Sequence, residues 1–167
     1  MRRLLVFAMA VVVLVGVNFA IYKKEQLLAE GMTVFLELAP RDPRSLMQGD
    51  YMVLRYSIAT VPELKEVKTD GYLVIAQDEK KVASFSRIYE EDTALEKNEL
   101  LLHFRFRQRR IWLGAENFFF QEGHAKSYDN ARYGELRVAT SGESVLVGLR
   151  DAELNLLSAP IEEAIAD

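Results

Sequence analysis

The chain has 167 residues, 50% of them apolar, 28% charged and 10% aromatic, a size and balance that describe one folded domain and exclude disorder as a global state. It has no cysteine, which removes disulfide scaffolds, thiol nucleophiles and cysteine-bearing zinc or iron–sulfur sites together. A formal net charge of −4 and a pI near 5.4 argue against a nucleic-acid binder, whose footprint is an excess of Lys and Arg.

Residues 4–22 (LLVFAMAVVVLVGVNFAIY) are nineteen consecutive uncharged positions, about the length of one bilayer crossing. Apolar residues on every face of a helix suit lipid better than a soluble core. The rival is a cleaved secretory signal, whose apolar region runs about 7 to 15 residues and ends in small residues. The candidate exit here, Asn18-Phe19-Ala20, begins on a residue that such a site disfavours. The expected organisation is therefore a cytoplasmic tail at 1–3, a transmembrane anchor at 4–22, a stalk at 23–31 and an extracytoplasmic β-rich domain at 32–167. Arg2 and Arg3 on one flank are balanced by Lys23 and Lys24 on the other; the amino group and the short tail favour the N-terminus inside. Tyr22, Lys23 and Lys24 suit the headgroup level. Without Arg2 and Arg3 the rest holds 19 basic against 25 acidic residues, net −6, and gains nothing from anionic lipid.

Within the stalk, residues 25–30 (EQLLAE) continue a helix that Gly31 closes. Residues 33–38 are β-prone, and Pro40-Arg41-Asp42-Pro43 stops the strand. Asp42 as N-cap, Pro43 as first helical residue and Gly49 as terminator predict a short helical turn over 44–48. Residues 50–57 (DYMVLRYS) alternate, with Met52, Leu54 and Tyr56 on one face and Tyr51, Val53, Arg55 and Ser57 on the other. Further strands are predicted at 71–76, 82–89 and 99–107, the last with Leu100, Leu102, Phe104 and Phe106 sharing a face. The first two of these are joined by a turn at 77–80, and 90–98 is a charged connection. Short apolar runs follow at 111–113 and 118–120, then a helix-compatible segment at 122–133. Two final strands at 135–140 and 144–149 flank the turn signal Ser141-Gly142-Glu143. One more strand is expected near Asn155, and 160–167 reads as frayed or helical. The sum is eight or nine short strands, hence a mainly β (α+β) domain: an antiparallel sandwich or partly open barrel with one or two short helices.

Gly49-Asp50-Tyr51-x-x-Leu54-x-Tyr56 matches the signature for which the GDYXXLXY family is named, and it follows an N-terminal apolar segment as expected there. The chain resembles that family beyond the motif, at Glu122-Gly123 after an aromatic run, at Tyr128 and Ala131, and at Gly148-Leu149. The resemblance implies a membrane-anchored extracytoplasmic protein, often associated with multi-spanning membrane proteins, with no established activity. A weaker resemblance is to bacterial signal peptidases, through 45–50 (SLMQGD) and 129–134 (DNARYG). The nucleophilic position there holds Arg41, and 105–113 contains no lysine, so a serine hydroxyl would lack its base.

Read physically, Gly49 permits a turn, Asp50 can accept backbone N–H groups within it, Leu54 is core, and Tyr56 is a half-buried ring with its hydroxyl at the rim. The functional alternative places Asp50 in a pocket with Arg44, Arg55 or Arg132. Asp50 and Glu122 are the best acid/base pair for a cell-envelope hydrolase, against the plainer reading of Glu122 as a helix cap. His103 and His124 lack a spaced third ligand, so no metal and no cofactor are expected. Arg105, Arg107, Arg109 and Arg110 beside Phe104, Phe106 and Trp112 read as a solvated strand face with acidic neighbours, or as a site for an anionic polymer or a partner's acidic loop. Phe118, Phe119 and Phe120 cannot all face one core, so one lies at a rim or interface. The expected role is non-enzymatic: binding or supporting another envelope component through Arg44, Asp50, Tyr51, Arg55, Glu122, Tyr128 and Arg132.

Overall fold

The structure, a computed structural model, describes residues 2–39, 51–91 and 93–158, with side chains except at positions 2, 5 and 8. The expected helical turn at 44–48, the site residues Arg44, Gly49 and Asp50, and the tail at 160–167 lie outside the described residues.

The helix α1 (Arg2–Glu30) runs unbroken through the apolar segment and the stalk. Gly31 follows, its N–H donating to the Leu27 carbonyl at 2.9 Å. A Cβ on Gly31 would lie 2.4 Å from that oxygen, so glycine is what lets the chain turn here. The transmembrane expectation is not carried by the described residues, among which no helix is long and apolar enough to cross a membrane.

Ten strands follow among the described residues: β1 (Met32–Glu37), β2 (Tyr51–Val53), β3 (Gly71–Gln77), β4 (Val82–Ile88), β5 (Glu99–Arg107), β6 (Arg110–Trp112), β7 (Asn117–Phe119), β8 (Tyr133–Val138), β9 (Ser144–Arg150) and β10 (Leu156–Leu157). Eight form one sheet in the order β10-β9-β8-β1-β4-β3-β5-β6, and β2 pairs with β7 in a second, two-stranded sheet. The domain is mainly β, but the large sheet is open rather than one half of a matched sandwich or a closed barrel. Its curl brings the β8–β9 turn across to β5, where the His103 N–H donates to the Gly142 carbonyl at 2.8 Å. The Ser144 hydroxyl reaches the Leu113 carbonyl at 3.3 Å, yet β6 and β10 stay apart as free edges.

At the centre, β1 pairs antiparallel with β8 over six positions and parallel with β4 through Phe35↔Val82 and Leu36↔Ala83. The parallel contact departs from the antiparallel expectation. It arises because the chain leaves β1, makes β2 and β3, and only then returns as β4 beside it. The alternating pattern of β1 buries Val34 and Leu36 in one apolar cluster with Leu73 of β3, Leu102 and Phe104 of β5, and Leu136 of β8. Each such fully buried aliphatic side chain stabilises the fold by about 1.5–3 kcal/mol. The small sheet contributes to that cluster from outside the large one, through Met52 and Phe118.

Side-chain hydrogen bonds fix the turns. Asp78 accepts from the N–H groups of Lys80 and Val82, both at 2.8 Å, closing the β3–β4 turn where Lys81 takes φ 65°. Glu99, buried at the start of β5, is gripped by the Arg87 guanidinium, by the Glu96 N–H at 3.0 Å and by the Ser86 hydroxyl at 3.0 Å. The Arg87 bonds first, and then the Glu96 N–H, hold the Glu99 carboxyl at about 2, down from an ordinary 4.5. Because the folded value is the lower one, this support is complete above about 4.5 and is lost as the pH falls toward 2. Wild-type protein should therefore lose melting temperature steeply across that window, and Glu99→Gln should flatten the acid limb while lowering the plateau at neutral pH. Parallel limbs in thermal melts between pH 7 and pH 2.5 would remove Glu99 from the account.

Candidate functional site

The signature strand shows how the local sequence places its side chains. Met52, Leu54 and Tyr56 are buried and Tyr51, Val53 and Arg55 are exposed, as alternation predicts. The strand is shorter than the expected 50–57, however, with regular pairing only at Tyr51–Val53. Beyond Val53 the backbone changes partners. The Leu54 N–H donates to Glu116, the Ala39 N–H donates to Arg55, and Tyr56 bridges to Leu38. A 3-10 turn, Ser57–Thr60, then replaces the strand, and a second, Pro62–Glu66, follows.

Tyr56 is not the half-exposed rim residue expected, but 1% exposed, with its hydroxyl donating to the Ala115 carbonyl at 2.7 Å. Its ring packs so closely on Gly134 of β8 that a Cβ there would lie 2.9 Å from it. Burial first, and the nearby Glu116 carboxylate second, push the phenol far above its ordinary value.

On the outer side, Tyr51 contacts Phe119 with ring centres 5.7 Å apart. Phe119 is 72% exposed and is the ring of its trio that faces out. Phe118 and Phe120 instead pack on Tyr128 at 4.9 and 5.6 Å. Tyr128 is thus a core residue rather than part of a binding surface. The expected helix-like segment is reduced to one 3-10 turn, Ala125–Tyr128: Gly123 takes φ 82°, outside the helical range, and β8 begins at Tyr133. Glu122 is exposed and does not cap that turn, whose N-cap is His124 without a side-chain bond.

Of the predicted cluster, Arg55 and Arg132 come together on one polar cavity of about 600 Å³, with Asp129 and Asp151 in its wall. Tyr51, Glu122 and Tyr128 do not line it. A second groove of about 610 Å³ lies on the other side of Arg55. Leu54, Val61, Leu64 and Ile111 form its apolar floor, and Arg55, Lys65, Lys68, Arg109 and Arg110 its cationic rim. Trp112 completes one wall. Half of this groove is visible in the sequence as the basic run after Phe104. Lys65 and Lys68 are too distant in sequence to be joined to it without the fold. The expected pairing of that run with acids holds for Arg107, which bonds Asp70 at 2.8 Å. Arg109 and Arg110 have no ion-pair partner among the described residues.

The histidines stay apart. His103 lies against Tyr72 at 5.1 Å between ring centres, and the Nδ1 of His124 is buried without a partner among the described residues. No cluster of metal-ligating side chains occurs among the described residues.

The family pattern of the GDYXXLXY protein matches residues 13–149. The chain belongs to the GDYXXLXY family. No curated protein and no solved structure matches it, and the likeness to signal peptidases is not shown. In this GDYXXLXY protein the second half of the signature is a packing device: Leu54 and Tyr56 join the small sheet, β1 and β8 into one core.

Proposed function

We propose that this GDYXXLXY protein is a membrane-anchored, extracytoplasmic binding or support domain of the bacterial envelope that acts beside a multi-spanning membrane protein and without catalysis. The observation that carries the reading is the exposure of α1. Val12, Val13 and Leu14, successive residues about 100° apart around the helix, are 70%, 61% and 60% exposed, and the other described apolar side chains as far as Tyr22 are exposed with them. An apolar surface of that extent lacks a partner within the described chain, and lipid is the solvent that suits it. With Leu4 to Ala8 counted from the sequence, the uncharged run recovers the nineteen residues of a crossing.

The junction supports a domain held close to its anchor. Leu27 is buried, and Arg137 of β8 donates to the Gly31 carbonyl at 3.3 Å and to the Thr33 hydroxyl at 2.7 Å. No flexible linker separates helix from sheet. The carboxylate-pair hydrolase has less support, since Glu122 lines neither large cavity.

The cysteine-free chain makes the test direct. Single cysteines replacing Thr140 or Glu153 in the full-length protein should react with a membrane-impermeant maleimide in intact spheroplasts, while a cysteine replacing Arg3 should not. Labelling of the domain positions only after permeabilisation would reverse the topology, and release of the protein by alkaline carbonate would remove the anchor.

A further inference from the structure

We propose that the groove between β6 and the two 3-10 turns receives an extended, acidic segment of a partner protein, which adds as a strand along the free edge of β6. The inference deepens the binding reading above and rests on it.

Charge is the first support. Arg55, Lys65, Lys68, Arg109 and Arg110 border the groove, and none has an ion-pair partner among the described residues. The single carboxylate in the wall, Glu116, is already engaged by the Leu113 N–H. A chain of net charge −4 that gathers five cations around one groove presents a surface complementary to an anion.

The backbone is the second. β6 ends the large sheet, joined to β5 by a two-residue turn in which Gln108 and Arg109 take φ 50° and 62°. That turn makes Arg107↔Arg110 and Arg105↔Trp112 the pairs that exchange hydrogen bonds, so the N–H and C=O of Ile111 point away from β5. Neither group has a partner among the described residues. An incoming strand satisfies both, which is the usual chemistry of strand addition at a sheet edge. Residues from both faces of β6 line the groove, so the opening follows that edge.

The floor is the third. Leu54, Val61 and Leu64 line the groove together with Ile111, and a strand of alternating acidic and apolar residues presents one set to them and the other to the cations. A lipid headgroup fits less well, because it would answer only the cations and leave the Ile111 edge unpaired. A hydrocarbon chain also has no use for a free N–H and C=O. The groove further lies at the Arg107 end of β5, roughly 25 Å along the strand from its Glu99 end, beside which Gln77 bonds the Thr33 carbonyl near α1.

Trp112, the sole tryptophan, lines the groove and reports its occupancy. Full-length protein in zwitterionic nanodiscs is titrated with a synthetic decapeptide alternating Glu with Val or Ile, with the same peptide carrying Lys in place of Glu, and with phosphatidylglycerol vesicles. The acidic peptide should give a saturable shift in Trp112 emission that weakens with salt, and the lysine peptide none. Lys68→Glu/Arg110→Glu should reduce affinity at least tenfold with an unchanged melting temperature, as both side chains are exposed; should that variant not fold, Lys65→Glu serves instead. N-methylation of alternate peptide amides should abolish binding in one register and spare it in the other. Four results would overturn the proposal: equal response to the lysine peptide, affinity indifferent to charge reversal, a response to the vesicles alone, or no saturable response. An inverted topology in the labelling experiment leaves this titration unaffected, so the two readings fail separately.

Discussion

Tyr56→Ala is expected to destabilise the domain by about 4 kcal/mol, because it empties a fully enclosed aromatic site and removes a buried hydrogen bond. Tyr56→Phe isolates the second part. It leaves the ring in place but deprives the buried Ala115 carbonyl of its donor, at about 1–2 kcal/mol. Gly134→Ala attacks the same contact from β8, forcing a methyl to within 2.9 Å of the ring, and should cost about 1–3 kcal/mol. The decisive comparison is the pair. Once the Tyr56 side chain is gone, the new methyl occupies space the ring has vacated, so Gly134→Ala in the Tyr56→Ala background should be nearly free. Denaturant unfolding of the four proteins measures this, and additive losses would mean that the ring and the glycine do not share a contact. The raised phenol adds a pH signature. Its folded value lies above the ordinary 10, so the stability it confers is intact below pH 10 and drains away above it. Tyr56→Phe should blunt that alkaline loss.

Arg150→Met is expected to cost about 3 kcal/mol through a different route. Glu135 of β8 is buried, and Arg150 of β9 donates to its carboxylate from Nε at 2.8 Å and Nη2 at 2.6 Å. The same guanidinium holds the Leu154 carbonyl at 3.1 Å and lies over the Phe35 ring at 5.7 Å. Removing it leaves a carboxylate without its counter-charge and loosens the turn that brings β10 onto β9. The double variant Glu135→Leu/Arg150→Met takes away the stranded charge as well and should be more stable than the single one. Chemical denaturation reads both; a double variant weaker than Arg150→Met alone would locate the loss in packing rather than in charge.

For function, the two cavities divide the expected site. Arg55 borders both, Arg132 only the polar one, and Arg109 with Arg110 only the groove. The exposed Tyr51, Val53 and Phe119 lie on the outer face of the small sheet, and Val53 borders the groove too. The apolar outer face of the small sheet therefore adjoins the cationic groove at Val53.

Local pattern was enough to read β3, β4, β5 and β9: alternation marks β5, and short β-prone runs between turn formers mark the other three. The long N-terminal helix and its stop at Gly31 were legible for the same reason: hydropathy, charge and chain reversal are local properties. What escaped were relations between distant segments. The parallel contact of β1 with β4, the change of partner after Val53, and the burial of Tyr56 against Gly134 each depend on a strand arriving from elsewhere, as does the meeting of Lys65 and Lys68 with Arg109 and Arg110. A residue's own neighbours in sequence state which face it prefers, but the identity of what covers that face comes from the order of strands in the sheet, and that order is settled by packing over the whole core.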